Sequence, residues 1–197
     1  MTEAANRRGH AANLIGPGRL VLVVGPSGAG KDTILNGARA AFATDKTVLF
    51  GRRVVTRPHD RNEDHDSLDE ARFAAAVRDG AFALSWDAHG LRYGVQREID
   101  DEIRAGHTVV CNVSRGVVAT ARMRYAHVTA ALVTAPEHIL AARLAARSRA
   151  TDASLRERLG RNNLYSEFAA DVVIVNEGDV DDSVKAFEEL LRSISAT

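Results

Sequence analysis

The chain has 197 residues, 45% of them hydrophobic and 26% charged, with 26 Lys and Arg balancing 26 Asp and Glu. That length supports one solid core, and the zero net charge removes any global electrostatic reason to bind nucleic acid or an anionic membrane. A single cysteine, Cys111, excludes an internal disulfide framework, and no apolar run is long and uncharged enough to cross a bilayer.

Cys111 lies in an apolar run, so a buried structural thiol is expected, and a reducing, cytoplasmic setting follows as the default. Met1–Gly18 is small and polar, with Arg7, Arg8 and His10 but no apolar stretch. It reads as a loose arm rather than a signal peptide. Leu20–Val24 is a β-branched run typical of a strand buried on both faces. A glycine-rich turn follows, then a helix over Asp32–Ala43 with Ile34, Leu35, Ala38 and Phe42 at helical spacing. Val48–Val55 predicts one strand and Thr56–Leu68 a polar stretch. Asp69–Arg78 predicts a helix stopped by Gly80, and a strand lies near Ala81–Trp86. The pattern then predicts a helix over Val95–Ala105, a buried strand over Thr108–Asn112, and a helix over Val117–Arg124. His127–Thr134 reads as a strand, and Pro136 opens a long helix to Arg147, proline being favoured in a first turn. Ser154–Phe168 is expected to be helical, Asp171–Val175 a last strand, and Val180–Ile194 a closing helix. Apolar strands alternating with helices imply parallel pairing and a three-layer α/β fold.

The chemistry begins at Gly25-Pro26-Ser27-Gly28-Ala29-Gly30-Lys31, which fits G-x-x-x-x-G-K between a buried strand and a helix. Glycines let successive N–H groups turn toward phosphate oxygens, the helix N-terminus adds positive character, and Lys31 reaches the β- and γ-phosphates. ATP is therefore the expected nucleotide. After the lysine the pattern wants a hydroxyl for Mg²⁺, but Asp32 stands there, followed by Thr33. Thr33 lies about 100° further round the helix and cannot take the same place. Asp32 is read either as a Mg²⁺ ligand, directly or through water, or as a favourable negative charge at a helix start.

Together GPSGAGKDT (Gly25–Thr33), Thr56-Arg57-Pro58, Gly80-Ala81-Phe82, Tyr93-Gly94, RLAARSR (Arg143–Arg149), the helix carrying Arg158 and VVIVNE (Val172–Glu177) resemble the guanylate kinase family. The resemblance runs from Arg19 to the end and implies a P-loop nucleoside-monophosphate-kinase-like fold. It implies a kinase domain over 19–197 with an acceptor-binding insert at about 56–94 and an arginine-bearing lid at about 147–158. Guanylate kinases read guanine partly with a glutamate where this chain has Leu84, and a phosphate-contacting tyrosine corresponds to His65. The runs VVTRP (Val54–Pro58), FALSWDAHGLRYGV (Phe82–Val95) and CNVSRGV (Cys111–Val117), with Asp32 after the lysine, resemble more closely the ribose 1,5-bisphosphate phosphokinases of phosphonate catabolism. That resemblance implies transfer of the γ-phosphoryl group of ATP to the 1-phosphate of ribose 1,5-bisphosphate, giving 5-phosphoribosyl 1-diphosphate.

A phosphate acceptor is already ionised near neutral pH, so the demand is for cations that bring two polyanions into line. Arg57 in its loop is the expected bidentate phosphate contact. His65, His89, Tyr93, Asn112 and Arg115 complete the acceptor set, Asn112 lying at the C-terminal end of a strand, where open α/β sheets bind ligands. Arg52 and Arg53, taken as neighbours on one strand, face opposite ways. Lys31, Arg147 and Arg158 are the expected catalytic cations, whereas Arg143 and Arg149 read as charges on a solvated helix face. Asn176 and Glu177 are placed near the adenine. Besides a kinase for another small phosphorylated metabolite, two other readings stand beside this one. The first is a guanylate kinase; the second is a non-catalytic interaction module on the same scaffold, which would have no need of Lys31 and the glycine loop.

Overall fold

The computed structural model describes residues 14–58, 65–147 and 168–195. In chain order these form β1 (Arg19–Val24), α1 (Lys31–Ala41), β2 (Val48–Gly51), β3 (Arg53–Val55), β4 (His65–Ser67), α2 (Glu70–Arg78), β5 (Phe82–Ala88) and β6 (Leu91–Gln96). Then come α3 (Ile99–Arg104), β7 (Thr108–Asn112), a 3₁₀ turn (Arg115–Val117), α4 (Val118–Arg124), β8 (Val128–Thr134), α5 (Glu137–Arg147), β9 (Val172–Val175) and α6 (Val180–Ser195). A parallel sheet orders its strands β2-β7-β1-β8-β9. Val48 to Gly51 stand opposite Thr108 to Cys111, and Ala131 to Thr134 opposite Val172 to Val175. Leu20 to Val24 are fully buried, as a run of apolar, largely β-branched residues in a covered sheet should be. The expected α/β class with a parallel sheet is what the chain adopts.

The chain divides into two compact units, Met1–Leu22 with Thr47–Thr129, and Val23–Lys46 with Ala130–Thr197. In the second, α1 buries Ile34, Leu35 and Ala38, and α6 buries Ser183, Phe187 and Leu191 at helical spacing. The two helices approach closely because Gly37 has no side chain; a Cβ there would lie 2.8 Å from both Val184 methyls. The guanidinium of Arg192 covers the Phe42 ring at 5.2 Å from its centroid.

The first unit holds a second sheet, ordered β4-β3-β6-β5 and mixed in direction. β3 runs parallel to β4 but antiparallel to β6, and β5 and β6 form an antiparallel hairpin. Three expectations change here. The predicted strand Val48–Val55 is two strands in two sheets. Its last residue paired in the parallel sheet is Gly51, opposite Cys111, where a Cβ would come within 2.8 Å of Sγ. Arg52 therefore sits between strands, its Nη1 3.0 Å from the Asp66 carboxylate, rather than beside Arg53 in one. The polar stretch Thr56–Leu68 contains β4. The helix predicted over Val95–Ala105 is a strand to Gln96 and a helix only from Ile99. His89 (φ 56) and Gly90 (φ 71) form a two-residue turn with both central residues left-handed, so the chain reverses and pairs Trp86 with Tyr93. The helix expected over Ser154–Phe168 lies outside the described residues.

Candidate active site

The phosphate loop leaves the end of β1 through Gly25, whose φ of 152° and 2.0 Å separation between a would-be Cβ and Val133 O leave room only for glycine. Pro26 and Ala29 are buried and Ser27 is exposed. Gly28 and Gly30 are left-handed, at φ 87° and 90°, and Gly30 is the N-cap of α1. Among the described residues no side chain caps this helix at Gly30, an arrangement that suits a helix start meeting a ligand. The loop packs on α5: a Cβ at Gly28 would lie 3.3 Å from Leu140 O and from Leu144 Cγ. Lys31 folds back along the loop and donates from Nζ to Gly25 O at 2.7 Å and Pro26 O at 2.9 Å. The ammonium thus draws the loop around itself and stands where a polyanion would meet it. Asp32 is the acidic residue of the first helical turn, and Thr33 is exposed beside it.

Two further side chains reach this loop. Asn176, just past β9 and 2% exposed, donates from Nδ2 to Ala29 O at 2.9 Å. Arg143 of α5 brings Nη1 to 4.0 Å from the position a Gly30 Cβ would take. Arg143 Nη1 and Asn176 Oδ1 are both buried, with no hydrogen-bond partner among the described residues. Orphaned buried polar atoms are rare enough to call for an explanation, and here they flank a loop shaped for anions.

In the other unit the residues expected on the acceptor side lie on the mixed sheet, at its hairpin tip and at or just past the end of β7. Arg57 follows β3 and is half-buried. His65 lies on β4 opposite Arg53 and is only 1% exposed. Tyr93 stacks on Trp86, ring centroids 5.4 Å apart and planes within 7°. Asn112 ends β7 at 8% exposure, and Arg115 opens the 3₁₀ turn just beyond. Arg92 is already engaged: Nε stands 3.5 Å from Asp87, Nη1 4.0 Å from Glu70, and the guanidinium 4.9 Å from the Phe73 ring centroid. Arg53 pairs with both His65 and Val95. His89 lies beyond Leu91 at the hairpin tip, more than about 13 Å along the strand from that pair. The two histidines therefore do not form one cluster. Leu84 is 3% exposed and pairs with Val95, so the position that carries a guanine-reading carboxylate in guanylate kinases is filled with core here.

No protein-family model matches the chain. Among curated proteins it is 47% identical over 195 residues to ribose 1,5-bisphosphate phosphokinase PhnN of Bradyrhizobium diazoefficiens, covering 99% of this chain and 98% of the relative. It is 51% identical over 179 residues to the protein of that name in Rhodopseudomonas palustris, covering 91% of each. The chain belongs to the ribose 1,5-bisphosphate phosphokinase family. Among solved structures, guanylate kinase from Anaplasma phagocytophilum matches with a TM-score of 0.70 at 20% identity, covering 93% of this chain and 89% of that one. The phosphokinase family thus shares the guanylate kinase fold.

Within this member of the phosphokinase family the loop lies between β1 and α1 as the sequence implied, but Arg143, expected as a charge on a solvated helix face, instead has its Nη1 buried beside Gly30. Its signal was Leu140 and Leu144, the apolar pair that turns one face of α5 to the loop; Arg143 is adjacent to that stripe. Arg158 and the side chain of Arg147 lie outside the described residues. Cys111 is buried as expected, and burial pushes its thiol up to about 12. A thiol so desolvated stays protonated and is no nucleophile. Among the described residues no three His, Cys, Asp or Glu side chains gather as a metal cage. Asp32 is a hard oxygen donor beside the loop lysine, which suits Mg²⁺ held mainly by phosphate and water oxygens.

Proposed function

We propose that this chain transfers the γ-phosphoryl group of ATP to the 1-phosphate of ribose 1,5-bisphosphate, forming 5-phosphoribosyl 1-diphosphate and ADP. In phosphonate catabolism, the setting the resemblance implies, this step would run in the reducing cytoplasm. The observation that carries the reading is the loop Gly25–Thr33, with three left-handed glycines, an uncapped helix start and Lys31 drawn across it. The identity to phosphokinases along the whole chain supplies the acceptor.

An oxygen of the acceptor's 1-phosphate attacks the γ-phosphorus as the bond to the bridging oxygen of ADP breaks. The attacking oxygen is already anionic, so no general base is required; positioning and charge neutralisation carry the rate. Lys31 meets the β- and γ-phosphates, and Arg147 and Arg158 meet the transferring group. Arg57, His65, His89, Tyr93, Asn112 and Arg115 are the proposed acceptor-side residues. Asp32 would hold Mg²⁺ directly or through water, and the ion would supply positive charge that offsets the phosphates. Burial of Leu84 favours a sugar acceptor over GMP, because a site without the polar partner for a base edge rejects that base.

The test is ADP release with ribose 1,5-bisphosphate and with GMP in parallel, the product being identified by phosphorus NMR. A diphosphate signal from the sugar alone is expected. Turnover of GMP at equal or higher kcat/KM would assign guanylate kinase activity instead. ATP binding without turnover on either acceptor would point to an interaction module.

A further inference from the structure

Asn176 directly follows β9, yet its side chain acts on a loop at the other end of the sequence. Its main-chain N–H donates to Thr134 O at 2.7 Å, which anchors the strand end whatever side chain stands there. Nδ2 donates to Ala29 O, a bond that spans 147 positions of sequence. Gly30 must be bare to admit it, because a Cβ there would lie 2.3 Å from Nδ2. The amide uses only part of its capacity, since Oδ1 is buried without a partner among the described residues. The amide thus leaves one buried acceptor, its own Oδ1, unpaired while holding another, the Ala29 carbonyl, which an apolar side chain in its place would strand.

The peptide unit between Ala29 and Gly30 is planar and trans, so its C=O and its N–H point in opposite directions. Fixing the Ala29 carbonyl therefore fixes the direction of the Gly30 N–H, one of the loop amides available to a phosphate. We infer that Asn176 is a positioning residue for the nucleotide: by holding the Ala29 carbonyl it aims the Gly30 N–H at the phosphates. This rests on the proposed ATP site. Asn176 itself need not touch the phosphates. It acts through the rigidity of one peptide plane, and Arg143, beside the same glycine, completes the polar wall.

The test uses the full chain carrying Asn176→Leu, which keeps the branched shape and removes the donor, with Asn176→Ala as a second variant should the first fail to fold. Binding of ATP and of adenosine is measured by calorimetry or ligand NMR, along with the melting temperature of the nucleotide-free protein and KM for both substrates. Expected are a loss of ATP affinity of roughly tenfold, the scale of one hydrogen bond, a matching rise in KM for ATP, unchanged adenosine affinity and acceptor KM, and a melting temperature lowered by no more than the few degrees one hydrogen bond accounts for. ATP affinity equal to the parent's overturns the inference. So does a loss that affects adenosine equally or accompanies a larger fall in melting temperature than one hydrogen bond accounts for, since either would make the role structural. A parent protein that binds no ATP would instead overturn the nucleotide reading itself.

Discussion

Lys31 shows how one residue is set by its neighbours. Two carbonyl oxygens, of Gly25 and Pro26, hold the ammonium over the loop, so alanine there removes both a loop brace and the charge that meets the nucleotide. Lys31→Ala is expected to lower kcat by on the order of 10²-fold and to weaken ATP binding; steady-state kinetics with a nucleotide titration would check it. Asp32→Asn separates the two readings of that residue. As a Mg²⁺ ligand, Asp32 would leave behind a markedly raised requirement for Mg²⁺ when replaced. As a helix-terminus charge alone, it would leave the Mg²⁺ dependence of the rate unchanged and cost a few tenths to about 1 kcal/mol of stability. The loop residues were legible because each is dictated locally: Gly25, Gly28 and Gly30 by backbone angle, Lys31 by its offset from them. Arg143 and Asn176 were not legible as partners of the loop, because what they touch lies more than a hundred positions away.

At the scale of elements, period and punctuation were enough wherever an element has one covered face. α1, α2, α5 and α6 start and stop within a few residues of the positions their apolar spacing and their Gly, Asp and Pro signals imply. The hairpin β5–β6 was missed because its turn is Ala88-His89-Gly90-Leu91 rather than Asn-Gly, and a left-handed histidine is uncommon. Val95 and Gln96, the end of β6, then looked like the start of the helix that follows. β3 and β4, of three residues each, carry too few residues to show a period. The α1–α6 pair offers a direct test of packing. Gly37→Ala places a methyl 2.8 Å from the Val184 methyls. Overpacking of about 1–3 kcal/mol should outweigh the gain of about 1 kcal/mol in helix propensity. A lowered melting temperature is expected, and Val184→Ala added to it should restore part of the loss. A single variant as stable as the parent would show that the helices can move apart freely.

For the whole molecule, the buried groups set the pH range of stability. Burial raises the Cys111 thiol to about 12, and burial with a 2.6 Å hydrogen bond from its hydroxyl to Asp100 also raises Tyr125. Both groups hold their protons to higher pH when folded than when unfolded. Their contribution is complete below the ordinary thiol value near 9 and is lost as pH climbs from there toward 12, because the unfolded chain releases protons first. Urea unfolding at pH 8 and pH 11 should therefore give a lower midpoint at the higher pH, and Cys111→Ala should flatten the difference. An unchanged midpoint would contradict the burial of these groups. The sequence by itself determined the α/β class, the phosphate loop and the kinase family, because those depend on short-range signals: runs of buried β-branched residues, glycines at fixed offsets, one lysine. Only the tertiary structure decided that Val48–Val55 splits between two sheets, that Leu84 is core, and that Asn176 and Arg143 close over Gly30. Those outcomes depend on which distant surfaces meet, and no local pattern of residues encodes which partner a carbonyl, a ring or a strand edge will find.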